Sequence, residues 1–155
     1  MGRELVIIWA GRHRRDRFDE SIKDYQRRIR GHVPITDRWI KSRRSGDDER
    51  RKKDEGEALL AALPATSWVV AMDGGGRALT SRGFSDHLES LQERWPHAVV
   101  FALGSDLGLD PLVLERANEV LSLGPMTLAH ELARLVLYEQ IYRAMAIRSS
   151  INYHR

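Results

Sequence analysis

Four short apolar runs, separated by segments of helical periodicity, constrain this chain more than any other feature. They are Glu4–Trp9, Trp68–Asp73, Ala98–Leu103 and Val120–Leu123, with a weaker alternating segment, Val33–Ile40, as a fifth. Runs of this length that are β-branched or bounded by turn residues, and apolar at consecutive positions, suit strands buried on both faces. Between them Phe18, Ile22, Tyr25 and Ile29 recur at helical spacing, with Asp19, Glu20 and Lys23 on the other face. The charged segment 47–57 continues into Ala58–Ala62 as one helix with Pro64 just beyond it, and Ser81 is placed to cap a helix bearing Phe84, Leu88 and Leu91 that stops before Pro96. Strands and helices in alternation predict an α/β domain whose sheet is covered by helices on both faces.

The segment Thr127–Arg148 adds a second constraint. Its apolar residues, among them Leu128, Leu132, Leu135, Val136, Ile141 and Met145, cover most of a helix circumference. Such a helix must be buried on several sides, and in a small domain one of those sides is expected to meet another subunit. The 155 residues show no repeat or linker and fit a single domain, 1–155. With no cysteine there is neither a disulfide framework nor a Cys-based zinc site, which suits a reducing cytosol. No metal is expected. The longest uncharged stretch, Ala58–Met72, is shorter than the ~20 apolar residues of a membrane span, so a soluble, cytoplasmic protein without membrane contact is expected.

Charge is uneven. Residues 1–53 carry 17 Lys and Arg against 9 Asp and Glu, whereas residues 54–155 carry 8 against 13. The first third is therefore a candidate face for a polyanion, with Arg12-His13-Arg14-Arg15, Arg27-Arg28 and Arg50-Arg51-Lys52-Lys53 as its phosphate contacts. A solvated helix surface is the plainer explanation of such runs. Tyr25 and Trp39 lie nearby and could stack on bases, but suit a core better.

Two glycine turns follow apolar runs: Asp73–Gly76, and the segment 104–108. In open α/β sheets ligands bind beyond the carboxyl ends of strands, where glycine admits close backbone approach. Neither is a GxGxxG fingerprint, and no P-loop occurs, so dinucleotides and nucleoside triphosphates are not indicated. A third turn, from Leu121 to Leu128, leads into Ala129-His130-Glu131-Leu132-Ala133-Arg134; Thr127 is placed to cap the long helix, and His130 suits a hydrogen-bonded structural role. The final Tyr153-His154-Arg155 is unusual in composition for a tail, since terminal residues ordinarily fray.

Taken in order, SLGPMTLAHELAR at 122–134, EQIYRA at 139–144 and Tyr153-His154-Arg155 closely resemble the C-terminal signature of the RlmH family of SPOUT-class methyltransferases. FALGSDLGL at 101–109 and VAMD at 70–73 extend the likeness upstream, with weaker echoes at 54–57 and 5–11, so that it covers essentially the whole chain. The resemblance implies a compact α/β fold with a C-terminal trefoil knot, a homodimer, and methyl transfer from S-adenosylmethionine to N3 of a pseudouridine in 23S rRNA on the ribosome. Unaided physics would not suggest the knot, because threaded chains are nearly absent from proteins. Carried over by motif, the cofactor contacts are Met72, Gly104, Leu123, Gly124, Pro125, Met126, Thr127 and Leu128. His154, Arg143, Tyr153 and Arg155 fall at the target nucleotide: His154 as proton acceptor, Arg143 or Arg155 against developing negative charge or a phosphate, Tyr153 stacked on the base. For Arg143 an ion pair with Glu139, four residues earlier, competes with that role.

The chain departs from the family pattern at Ser105, where glycine is usual, at Leu107, at Gly124 in place of serine, and at Ala129 in place of proline. Ser105 and Gly124 touch the expected pocket, and weaker cofactor binding is the most they imply. Two other readings compete. A Rossmann-type methyltransferase needs a longer sheet than the residues after Gly76 comfortably supply. A non-catalytic RNA-binding or ribosome-associated factor with the same fold suits the composition equally well.

Overall fold

The computed structural model describes residues 4–42 and 46–153. In chain order the elements are β1 (Leu5–Gly11), α1 (Asp19–Arg30), β2 (Ile35–Lys41), α2 (Asp48–Ala61), β3 (Trp68–Ala78), α3 (Ser81–Arg94), β4 (Val99–Leu103), α4 (Pro111–Arg116), β5 (Glu119–Ser122) and α5 (His130–Arg148). The strands form one sheet in the order β2-β1-β4-β3-β5, every neighbouring pair parallel.

Strand side chains alternate between faces, so a run apolar at every position serves two cores at once. Leu5, Ile7 and Trp9 of β1, Val99, Phe101 and Leu103 of β4, and Val70 of β3 face one side. There they meet Ile22 and Ile29 of α1, Phe84, Leu88 and Leu91 of α3, and Leu137, Tyr138, Ile141, Ala144 and Met145 of α5. Val6, Ile8, Val69, Ala71, Val100 and Ala102 face the other side, against Leu59 of α2 and Val113 of α4. Helices on both faces of a parallel sheet are the expected architecture. No helix among the described residues is long and apolar enough to cross a membrane.

Several local expectations are corrected. The Asp73–Gly76 turn lies inside β3: Met72 and Arg77 both pair with Leu121, and the residues between them are extruded as a bulge. The cap of α3 is Thr80, whose hydroxyl accepts from the Gly83 amide at 2.9 Å, not Ser81. Thr127 does not cap α5, which begins at His130 behind Ala129 and has no side-chain cap. The short helix α4, capped by Asp110 with Pro111 in its first turn, has no counterpart in the sequence reading.

Arg51 is also not a surface cation. It is 4% exposed and donates to Asp106 at 2.8 Å, with Glu55 at 3.5 Å. Arg27 and Arg28 pair with Asp24, while Arg12, Arg14, Arg15, Arg50 and Lys53 are exposed. Tyr25 and Trp39 pack against the core, and the Trp39 indole donates to the Gly11 carbonyl at 2.9 Å.

Candidate functional site

The carboxyl ends of β1, β3, β4 and β5 open on one side of the sheet, where a parallel α/β sheet offers its crevice. A cavity of about 780 Å3 lies there, formed by three stretches: 72–74 at the β3 bulge, 103–108 after β4, and 122–130 with Ala133 after β5. All eight positions expected at a cofactor line it: Met72, Gly104, Leu123, Gly124, Pro125, Met126, Thr127 and Leu128. Met126 stands at the rim, 81% exposed.

Local chemistry shapes the walls. A Cβ on Gly104 would lie 2.4 Å from the carbonyl carbon and oxygen of Gly108, so only glycine lets the loop fold back on itself here. Gly124 has φ +135°, a region that residues with a side chain rarely adopt, so glycine suits the turn. Its amide donates to the Ser122 hydroxyl at 3.1 Å, and that hydroxyl donates to the Gly124 carbonyl at 2.8 Å, closing a small ring that holds the turn.

Behind the cavity wall a buried polar cluster supports the 104–108 loop. The Glu55 carboxylate, 4% exposed, accepts from the Ser105 hydroxyl at 2.6 Å and from the Ser42 hydroxyl, and faces Arg51. Ser105, the second departure from the family pattern, therefore supplies a donor to a buried charge. Burial alone would raise the Asp106 carboxyl, but the hydrogen bond and charge of Arg51 outweigh it and hold that carboxyl below its ordinary value.

A second buried cluster anchors the first turns of α5. Arg134 donates to Asp37 at 2.9 Å and lies 3.9 Å over the ring of Trp9, whose indole donates to Asp37 at 2.7 Å; Tyr138 donates to the same carboxylate. Asp37 carries no signal in the sequence, and the motifs that contain Glu55, Asp106 and Arg134 do not reveal their place in buried clusters. The i, i+4 spacing of Arg51 and Glu55 was the one available hint.

The residues expected at the target nucleotide lie elsewhere. Arg143 binds Glu139 through Nε and Nη2, each at 3.0 Å, and stacks over Tyr153 at 4.9 Å. The Tyr153 hydroxyl reaches that of Tyr25 at 3.3 Å, and its ring meets Tyr142 edge-on at 4.8 Å. Burial, the Tyr25 hydrogen bond and the Glu139 charge push the Tyr153 phenol well up, so it remains a neutral donor. His154 and Arg155 lie outside the described residues. Arg143 lies ten positions beyond Ala133, the last α5 residue at the cavity, about 15 Å along the helix. One chain therefore does not bring Arg143 and Tyr153 to the cavity. Among the described residues no group of three or more acidic or histidine side chains is arranged to hold a metal.

Residues 4–154 match the family described as "Predicted SPOUT methyltransferase". The chain is 40% identical over 150 residues to "Ribosomal RNA large subunit methyltransferase H" of Solidesulfovibrio magneticus, covering 97% of both chains. It is 40% identical over 153 residues to the protein of the same name from Nitratidesulfovibrio vulgaris, covering 98% of both. A third, so named in Parabacteroides distasonis, is 35% identical over 156 residues, with 97% of this chain and 98% of that one covered.

Proposed function

The chain belongs to the SPOUT methyltransferase family, and from that premise we propose that it methylates N3 of a pseudouridine in 23S rRNA, with S-adenosylmethionine as methyl donor. The observation that carries the proposal is the meeting of three distant stretches in one cavity at the carboxyl ends of the strands. Its volume lies within the range of small-molecule sites. Met72, Leu103, Leu123, Met126 and Leu128 offer apolar walls for an adenine, while Gly104, Gly108 and Gly124 let backbone line the rest of the cavity without a side chain between it and the ligand. The residues present thus fit the donor, and Met72, Gly104 and 123–128 would hold it. Bound there, S-adenosylmethionine supplies an electrophilic methyl.

The chain must do the rest. N3 of the neutral base carries a proton and has no free lone pair, so a proton acceptor has to work beside the donor cavity. We assign that role to His154, with Arg143 and Arg155 opposite the negative charge that develops on the ring and Tyr153 stacked on the base. The raised Tyr153 phenol suits a stacking and donating group, not a base. Because Arg143 sits about 15 Å along α5 from Ala133, with Tyr153 packed on it beyond the end of the helix, they serve the site of a second subunit, and the working form is a homodimer. The half-buried Leu132, Leu135 and Val136 of α5 leave apolar surface for that contact. Two cores on opposite faces of a single sheet support one domain over 1–155. The family's knot belongs to the same reading, supported by the closeness of segments 103–108 and 122–130. An rRNA substrate supports a cytoplasmic location.

The test is transfer of labelled methyl to ribosomes from a strain lacking the activity, with the product nucleoside identified by mass spectrometry. N3-methylpseudouridine in 23S rRNA is expected. Donor binding without transfer would mean a different substrate; neither binding nor transfer would leave an RNA-binding factor.

A further inference from the structure

Methyl transfer requires the acceptor atom within about 3–3.5 Å of the donor's methyl, so an acceptor site must share a wall with the donor cavity. Among the described residues, two further cavities large enough to hold a base do so. One, about 180 Å3, adjoins it at Met72, Ser122 and Leu123; its lining is mainly aliphatic and aromatic, with Ser81, Ser122 and Gln140 as its polar groups, and no cation lines it. The other, about 410 Å3, lies beyond the end of β1, and Asp106 and His130 border both it and the donor cavity. A gap lined by Leu103, Gly104 and Arg134 runs between the two.

The charges of this second cavity are informative once pairing is considered. Its acids are already engaged: Glu131 with Arg17 at 3.6 Å, Asp106 with Arg51, and Asp16 with the Phe18 amide at 2.8 Å. Arg12 and Arg15 line the cavity, are exposed, and have no ion-pair partner among the described residues. Beneath them Arg134, 4% exposed, is balanced by Asp37 at 2.9 Å and Asp16 at 4.0 Å, so it does not draw on an incoming anion. Two exposed guanidinium groups without a carboxylate partner among the described residues, at the mouth of a concave site, call for an anion.

We propose that this second cavity seats the acceptor nucleotide, a unit of single-stranded RNA whose phosphates rest on Arg12 and Arg15 and whose base lies against Asp106 and His130. The assignment rests on the methyl-transfer reading above. A base with an imide edge offers an N–H between two carbonyls; the Asp106 carboxylate can accept from the first and the His130 ring can donate to a second. The volume suits a single nucleotide, which accords with a base drawn out of its stack.

The test uses the full chain with the substitutions Arg12→Ala and Arg15→Ala together, and Arg94→Ala at the far end of α3 as control. With two phosphate contacts gone, KM for ribosomes should rise about tenfold or more, and the slope of log affinity against log salt should fall by about 1.4. Donor binding by calorimetry should stay within about twofold of wild type, and Arg94→Ala should change neither. Ribosome KM unchanged, or donor binding lost in parallel, would overturn the proposal. Photocrosslinking of a thiouridine-substituted oligouridylate to the wild-type chain is an independent arm. Adducts within 9–17 or at Asp106 or His130 support the site, and adducts confined elsewhere overturn it. Adducts at the site from a protein that transfers no methyl would uphold the RNA seat and sink the methyl-transfer reading instead.

Discussion

Replacing Glu55 with alanine removes the one acceptor on which three buried groups converge. Ser42 is 1% exposed, Ser105 5% and Arg51 4%, so no water replaces the lost carboxylate without rearrangement. Each stranded hydroxyl costs roughly 1–3 kcal/mol, and Arg51 keeps only Asp106, whose side chain is half in solvent. Taking one partner from a buried, hydrogen-bonded charge cluster typically costs about 3–5 kcal/mol, and that range is expected here. With an m-value of about 2 kcal/mol/M, the urea midpoint should fall by about 2 M. Glu55→Gln keeps the shape and one carbonyl acceptor, and should lose less than half as much. The Ser105 loop also forms part of the cavity proposed for the methyl donor, so calorimetry on Glu55→Gln should show weaker donor binding while the fold persists. If Glu55→Ala and Glu55→Gln unfold at the same urea concentration, within about 0.5 M of wild type, the cluster contributes nothing and the reasoning fails.

Gly124→Ser, which restores the residue usual in the family, should destabilise this chain by about 1–3 kcal/mol, because φ is +135° there; a thermal melt equal to wild type would show that the turn readily adopts another path. Arg143→Ala breaks a pair whose side chains are about one-fifth exposed and should cost less than about 1 kcal/mol of stability, yet lower methyl transfer to ribosomes at least about 100-fold. Arg143→Lys should not rescue it, since a lysine cannot make the two-pronged contact; full activity in either variant removes Arg143 from the reaction. For acid stability the sign follows from the lowered Asp106 carboxyl. Its contribution is complete above the ordinary value of 3.8 and is lost as pH falls through the lower folded value. Asp106→Asn should therefore reduce stability at pH 7 and flatten the acid limb of a stability–pH curve, and an unchanged limb would remove Asp106 as a contributor.

The sheet was legible because apolar, β-branched runs have few alternatives; β1 and β4 lie within about two residues of where periodicity puts them. The extent of β3 was not, because glycines that signal a turn also suit a bulge, and only the pairing of Met72 and Arg77 with one partner residue distinguishes the two. Thr127 carries a capping side chain but lies three residues before the helix; where the coil ends depends on packing against β1 and β2. Charge runs name candidate phosphate contacts without saying which way a side chain turns, which is why Arg51 was misplaced. Resemblance named the eight cavity residues individually. That they converge depends on β3 lying between β4 and β5, a strand order that spacing along the chain does not encode.

The extrusion within β3 leaves this protein a site of metrical freedom. Because pairing resumes on Leu121, the partner residue it left, the segment 73–75 can change in length without displacing any strand by a residue, while Gly76 stays packed on the Val120 backbone. Lengthening it costs only slowly growing loop entropy, about 0.6 kcal/mol per doubling. Asp73 and Gly74 also border the larger cavity. Size selection there can therefore evolve, or be engineered by inserting a residue or a fluorescent reporter, while the sheet keeps its register.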